Sequence, residues 1–214
     1  MSFQAVIFDM DGLLMDSERV GLDVMHECGL LQDYDIPIAM VRETIGSNKQ
    51  SSSDLYHRFF PALDTDRLFL DFKNAMCNLA KQGKIPLKKG ALELLDEIRR
   101  RGIPMAVASS SGQETIRIYL QSVGVIAYFD ALVTGNGLPS KPAPDVFLKA
   151  ASALGAVAKR CLVLEDSLNG IKAGRAAGMT VVMVPDVFPY TDDLAPYVDH
   201  VMPDLAAVIP LLDA

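Results

Sequence analysis

The chain is poor in cysteine, with three such residues among 214, and this scarcity excludes a large class of small secreted folds. Cys28, Cys77 and Cys161 are widely separated, and none belongs to a Cys-x-x-Cys motif. An odd number of scattered cysteines argues against a disulfide framework. We therefore expect three buried structural thiols in a reducing cytoplasm.

Long apolar runs and basic stripes are also absent. No apolar stretch approaches the roughly 20 residues that cross a bilayer, and the N-terminus lacks the basic and apolar regions of a signal peptide. Lys and Arg are scattered, and the formal net charge is −7. We expect a cytoplasmic protein that binds neither membrane nor nucleic acid. The acidic total does not exclude a phosphorylated substrate, because the local charge at the site decides that.

Hydropathy patterns predict one α/β domain that is interrupted by a helical insertion. Residues 3–8 form an apolar run typical of a buried strand, whereas residues 17–83 carry helical periodicity and no convincing strand. From residue 85 onward, apolar strands alternate with helices, which is typical of a parallel sheet with helices on both faces. We predict a core domain over residues 1–16 and 85–214, and a helical-bundle cap domain over residues 17–84.

Two aspartates stand where the first predicted strand ends. Asp9 and Asp11 follow the apolar stretch of residues 5–8 and are separated by a single residue. Like charges this close at the end of a buried strand need a counter-ion, and a metal or a phosphate-bound cation would supply it.

Polar segments follow three further predicted strands. Ser109 and Ser110 precede a helix, where they could bind an anion or simply cap the helix. Lys141 lies in a proline-rich turn, and its alternative role is that of an exposed loop lysine. Glu165 and Asp166 follow the last of these strands. Helix N-termini favour acidic residues, but this preference explains a single acid better than it explains two in succession.

Parallel strands bring all four segments to one edge of the sheet, where open α/β sheets bind ligands. Carboxylates suit Mg²⁺, which takes a few protein ligands and a substrate phosphate. The lysine and serines would hold phosphate oxygens, and an aspartate could attack phosphorus. Together the four segments indicate Mg²⁺-dependent phosphoryl transfer.

The four motifs, in this order, resemble those of the haloacid dehalogenase superfamily, in the branch with a helical cap inserted after the first motif. They are Asp9-Met10-Asp11-Gly12, Ser109, Lys141 within Lys-Pro-Ala-Pro-Asp, and Glu165-Asp166-Ser167. The resemblance covers essentially the whole chain. It implies a Rossmann-like parallel sheet with the nucleophile on the central strand.

The resemblance implies two different roles for the first pair of acids. Asp9 would be the nucleophile and a Mg²⁺ ligand. Asp11 would be the general acid and base, and its backbone carbonyl would also bind Mg²⁺. Since an alkoxide leaving group needs a proton, Asp11 favours phosphate esters over the carbon–halogen and carbon–phosphorus bonds that relatives cleave.

The other motifs would bind phosphate and metal. Ser109, with Ser110 beside it, and Lys141 would hold the transferring phosphoryl group. Asp166 would bind Mg²⁺ directly, and Glu165 would do so directly or through water.

Two positions in the predicted cap bear on the reaction. Lys49 lies three residues after Gly46, where similar proteins carry a basic residue that reaches the active site. Alternatively, Lys49 is a solvent-exposed lysine between two helices. If Lys49 does reach the site, Asp11 argues that it binds substrate and forms no imine. β-Phosphoglucomutases typically carry a histidine where this chain has Gly21, which favours a phosphatase over a mutase.

We therefore predict a Mg²⁺-dependent phosphatase that hydrolyses a small phosphorylated metabolite through an aspartyl-phosphate, as a monomer or weak homodimer. A phosphosugar mutase of the β-phosphoglucomutase type is the main alternative. A non-catalytic phosphate-binding protein is another, and the intact motifs argue against it.

Overall fold

A six-stranded, fully parallel sheet forms the centre of the fold, in a computed structural model that describes residues 3–47 and 49–213. The strand order is β3-β2-β1-β4-β5-β6, so β1 lies between β2 and β4. In chain order the strands are β1 (Ala5–Phe8), β2 (Met105–Ser109), β3 (Ala131–Thr134), β4 (Cys161–Glu165), β5 (Thr180–Met183) and β6 (His200–Val201).

The α-helices fall close to the predicted segments. They are α1 (Ser17–Leu30), α2 (Ile38–Thr44), α3 (Lys49–Phe59), α4 (Thr65–Lys81), α5 (Ala91–Arg100), α6 (Gln113–Ser122), α7 (Asp145–Ala153) and α8 (Leu168–Ala176). The helix α1 ends at Leu30, one residue after Gly29. Gly29 packs so closely on Ile36 that a β-carbon there would lie 2.8 Å from its Cδ1 atom.

Both faces of the sheet are covered by apolar side chains, as expected for parallel strands. Val6 and Phe8 belong to one apolar cluster, and Ala5 and Ile7 belong to another. Since successive strand residues point to opposite faces, these two clusters lie on opposite sides of β1. The predicted α/β fold with helices on both faces is confirmed.

Helices α1 to α4 lie between β1 and α5 in the chain, and no strand occurs in the described part of residues 17–83. The two chain crossings that flank them are hydrogen-bonded to each other. The Asp16 N–H donates to the Pro86 carbonyl at 2.9 Å, and the Lys88 N–H donates to the Leu14 carbonyl at 2.8 Å. The helical segment therefore leaves and re-enters the core at adjacent points. Its status as a separate domain stays a prediction.

Two expectations from composition can be checked against the fold. Cys28, Cys77 and Cys161 are all buried and free, as expected for structural thiols. Within residues 3–47 and 49–213, none of the helices has both the length and the hydropathy required to cross a membrane. The short β6 was not predicted, because two exposed residues leave no hydropathy pattern.

Candidate active site

A buried lysine joins two of the predicted motifs at the carboxyl edge of the sheet. Asp9 follows β1 directly, and its N–H donates to the Leu164 carbonyl of β4 at 3.0 Å. The Lys141 Nζ atom lies 2.5 Å from Asp9 Oδ1 and 2.7 Å from Glu165 Oε1. The Lys141 side chain is only 7 % exposed, so it is no loop lysine in solvent.

Burial sets the protonation of this cluster. Desolvation is the largest of the effects that raise the pKa of Asp9 to about 7. The Lys141 ammonium lowers this pKa, but repulsion from the carboxylates of Glu165 and Asp11 adds to the effect of desolvation. Burial alone would lower the pKa of Lys141, but Asp9 and Glu165 raise it above its ordinary value. The lysine is therefore charged.

Glu165 is held rigidly at the end of β4. Its Oε2 atom accepts hydrogen bonds from the N–H groups of Asp166 and Ser167, both at 2.8 Å, and from the Ser167 hydroxyl at 3.0 Å. Its Oε1 atom takes the Lys141 ammonium. The carboxylate fits only because residue 170, in the first turn of α8, is glycine: a β-carbon on Gly170 would lie 1.6 Å from Glu165 Oε1.

Replacing Gly170 with alanine should lower the free energy of unfolding by about 2 kcal/mol, through overpacking against Glu165. For a chain of this size that corresponds to a melting temperature lower by about 4–8 °C. Gly21→Ala is the matched control, since Gly21 is also helical and its added β-carbon would come no closer than 3.3 Å to a neighbouring atom, at the Phe72 ring edge. Equal melting temperatures for the two variants would contradict the prediction.

Asp11 has a different environment from Asp9. Its carboxylate accepts hydrogen bonds from three hydroxyls: Ser17 at 2.9 Å, Ser111 at 2.8 Å and Ser109 at 3.3 Å. Among the described residues it takes part in no ion pair. Ser109 was expected to face a phosphate; in this structure its hydroxyl instead donates to Asp11.

The acids suit a hard divalent cation. Asp166 is buried, its Oδ1 atom has no hydrogen-bond partner among the described residues, and desolvation raises its pKa well above the ordinary value. Gly12, with φ +83°, lets the Asp166 carboxylate approach the backbone closely, because a β-carbon there would lie 2.3 Å from Asp166 Oδ2. A buried carboxylate oxygen without a partner is costly, and a divalent cation would satisfy it.

Two adjoining cavities open onto these residues. One, of about 460 Å³, is lined by Asp9, Asp11, Ser109, Ser110 and Lys141, so the predicted catalytic and phosphate-binding residues share one cavity. The second, of about 510 Å³, lies under the inserted helices. Its wall includes Asp11, Leu22, Met25, Phe69, Phe72 and Met76.

Lys49 lines both cavities, and its ammonium group is paired with an acid outside the motifs. Its Nζ atom lies 2.6 Å from Asp66 Oδ1 on α4, and both side chains are exposed. A role for Lys49 in binding substrate stays a prediction.

Three further residues belong to the site and carry no motif signal. Ser17 and Ser111 donate to Asp11, and Glu18 lines both cavities. Desolvation, with repulsion from Asp11 and Asp9, raises the pKa of Glu18 to about 9. In the sequence Glu18 is an acid in the first turn of a helix. Its presence there is explained by the helix dipole, so the sequence gives no sign that it belongs to an active site.

Comparison with known proteins agrees with this geometry. The chain is 34% identical over 188 residues to the chloroplastic Protein SUPPRESSOR OF QUENCHING 1 of Arabidopsis thaliana, covering 84% of this chain but only 18% of that protein. It is 33% identical over 189 residues to Hexitol phosphatase B of Escherichia coli K12, covering 85% of this chain and 83% of that one.

A solved structure shares the whole fold. CbbY from Rhodobacter sphaeroides, crystallised in complex with phosphate, superposes with a TM-score of 0.87 over 99% of this chain and 100% of its own, at 22% identity. The haloacid dehalogenase-like hydrolase family matches residues 3–178. With the motif residues gathered at the edge of a parallel sheet, the chain therefore belongs to the haloacid dehalogenase-like hydrolases.

Proposed function

We propose that this chain is a Mg²⁺-dependent phosphatase that hydrolyses a small phosphorylated metabolite, such as a sugar phosphate, through an aspartyl-phosphate on Asp9. The hexitol phosphatase relative supports this substrate class. The observation that carries the proposal is the contrast between two neighbouring acids. Asp9 is buried against the Lys141 ammonium, whereas Asp11, at the edge of the second cavity, accepts side-chain hydrogen bonds only from hydroxyls among the described residues. Such a contrast fits one nucleophile and one proton carrier.

The reaction takes two steps. An oxygen of Asp9 attacks phosphorus, the bond to the ester oxygen breaks, and the Asp11 carboxyl gives its proton to the departing alkoxide. Asp11, now ionised, then takes a proton from water, which attacks the aspartyl-phosphate and releases phosphate with Asp9 restored. Lys141, Ser109 and Ser110 would bind the phosphoryl oxygens, and Lys141 would offset the repulsion between Asp9 and the anionic ester.

Asp9, the Asp11 backbone carbonyl and Asp166 would hold the Mg²⁺ ion, which when bound would neutralise charge on the phosphoryl oxygens. Both oxygens of Glu165 already have donors, Lys141 on one side and the Asp166–Ser167 segment on the other. That arrangement supports a contact between Glu165 and the ion through water, and a direct role for Glu165 in positioning Lys141.

The second cavity would receive the alcohol part of the ester. It adjoins Asp11, which must reach the leaving oxygen, and Lys49 lies at its rim. Gly21 also lines it, at the position where the mutases carry histidine. This supports transfer of the phosphoryl group to water and not to a second sugar oxygen. A cytoplasmic location and a monomeric or weakly dimeric state remain predictions.

The test is a panel of phosphate esters offered to the full chain: hexitol phosphates, other sugar phosphates and nucleoside monophosphates. Treatment with EDTA should lower phosphate release at least roughly 100-fold, since the metal supplies several kcal/mol of charge stabilisation, and added Mg²⁺ should restore it. Both measurements use released inorganic phosphate.

Two outcomes would contradict the proposal. If no ester gives Mg²⁺-dependent release, the chain is a phosphate-binding protein and not a phosphatase. If β-glucose 1-phosphate with a bisphosphate activator yields glucose 6-phosphate faster than free phosphate, it is a mutase.

A further inference from the structure

A fourth buried carboxylate approaches the metal-binding edge from outside the four motifs. Asp186 lies in the loop that follows β5, and its side chain is completely buried. Its Oδ1 atom accepts hydrogen bonds from Lys88 Nζ at 2.5 Å and from Arg19 Nε at 3.1 Å. Its Oδ2 atom is buried and has no hydrogen-bond partner in the described part of the chain. The two cations therefore fix the orientation of Asp186 and leave one oxygen unsatisfied.

Two further acids, Glu18 and Asp166, lie close to Asp186. One carboxylate oxygen each from Glu18, Asp166 and Asp186 lies within 4.8 Å of the other two. Each of the three acids also retains one buried oxygen with no partner among residues 3–47 and 49–213: Glu18 Oε2, Asp166 Oδ1 and Asp186 Oδ2. Three neighbouring acids that each keep one buried, unpartnered oxygen are unfavourable unless a cation lies among them.

We propose that Asp186 and Glu18, together with Asp166, supply oxygen donors to the divalent cation, directly or through bound water. Opposite ligands of a Mg²⁺ ion lie about 4 Å apart, so oxygens within 4.8 Å of one another can surround one ion with little movement. The proposal rests on the metal dependence of the proposed function, but not on the identity of the ester.

Asp186 also links the ion to the inserted helices. Arg19 lies in the first turn of α1, just after the first chain crossing, and Lys88 lies in the second crossing. Lys88 Nζ is in addition 3.6 Å from Asp16 Oδ1. Both crossings are therefore attached to Asp186, the carboxylate of which lies beside those of Glu18 and Asp166.

The experiment measures cation affinity without substrate. The full-length Asp186→Asn variant and wild type are stripped with EDTA, dialysed and titrated with Mn²⁺, with bound ion followed by electron paramagnetic resonance and Mg²⁺ as competitor. We expect the Mn²⁺ dissociation constant to rise 10- to 100-fold, as for other outer donors to metals. Asp192→Asn, an exposed acid six residues further along, is the matched control and should bind as wild type does.

Glu18→Gln is the second variant, because Glu18 makes no ion pair in the described part of the chain and its loss leaves Arg19 and Lys88 paired. It should also weaken Mn²⁺ binding at least 10-fold. Should Asp186→Asn fail to fold, Glu18→Gln decides the question. Binding within twofold of wild type by a folded variant overturns the proposal, as does a wild type that binds no Mn²⁺. A wild type that binds Mn²⁺ but hydrolyses no ester fails the proposed function alone.

Discussion

Replacing Asp9 with asparagine should lower kcat for every phosphate ester roughly 10⁴-fold or more, because an amide oxygen cannot displace the ester oxygen and no aspartyl-phosphate forms. The variant should stay folded: Lys141 keeps its 2.7 Å contact with Glu165, and asparagine has nearly the volume of aspartate. Released phosphate under saturating substrate and Mg²⁺ is the measurement, and a melting curve checks the fold.

Substrate binding separates this loss from a general disruption of the site. Asp9→Asn should still bind the ester, since Lys141, Ser109 and Ser110 remain, and isothermal titration with the best ester of the panel would detect it. Residual turnover within tenfold of wild type would exclude Asp9 as the nucleophile. Because any contaminating phosphatase would survive the substitution, this variant also tests the purity of each preparation.

Replacing Asp11 with asparagine should produce a loss that depends on the leaving group. For alkyl phosphates the first step loses its proton donor, and the rate of that step should fall about 10²–10⁴-fold. For p-nitrophenyl phosphate the first step should be much less affected, because nitrophenolate leaves without a proton. The second step still lacks its base, so we expect a burst of about one nitrophenol per enzyme, followed by slow turnover.

Stopped-flow absorbance measures the burst, and acid quenching measures the trapped aspartyl-phosphate. The three hydroxyls that donate to Asp11 can also donate to the asparagine oxygen, so the local structure should hold. Ser17→Ala is the control, since it removes one of those donors and leaves the carboxylate in place. Equal losses in the rate of the first step for both kinds of ester would show that Asp11 gives no proton to the leaving group.

The parts of the site that the sequence predicts best are those that depend on strand ends. Asp9, Lys141 and Glu165 converge because parallel strands bring their carboxyl ends to one edge, and apolar runs reveal those strands. The hydropathy pattern of each strand and the order of the strands along the chain can both be extracted from a single sequence.

The residues that escaped prediction owe their place to long-range packing. Ser111 appears in the sequence as one more hydroxyl before a helix, and only the fold directs it to Asp11. Asp186 lies nineteen residues past the last motif, between Pro185 and Val187 in a loop, where an acidic residue gives no sign of a site. Lys49 could be assigned to the predicted cap but not to a partner, because only the fold brings it beside Asp66 of α4.

The hydrogen-bonded crossings at Asp16–Pro86 and Leu14–Lys88 have a consequence for how such a protein can diversify. The segment between them behaves as one long loop, because it leaves the core domain and returns to it at adjacent points. The entropic penalty of closing a loop rises only with the logarithm of its length. The inserted helical segment can therefore lengthen, shorten or change its helices with little effect on the strand order. The part that contacts the alcohol of the ester can therefore vary while the part that handles phosphorus stays the same.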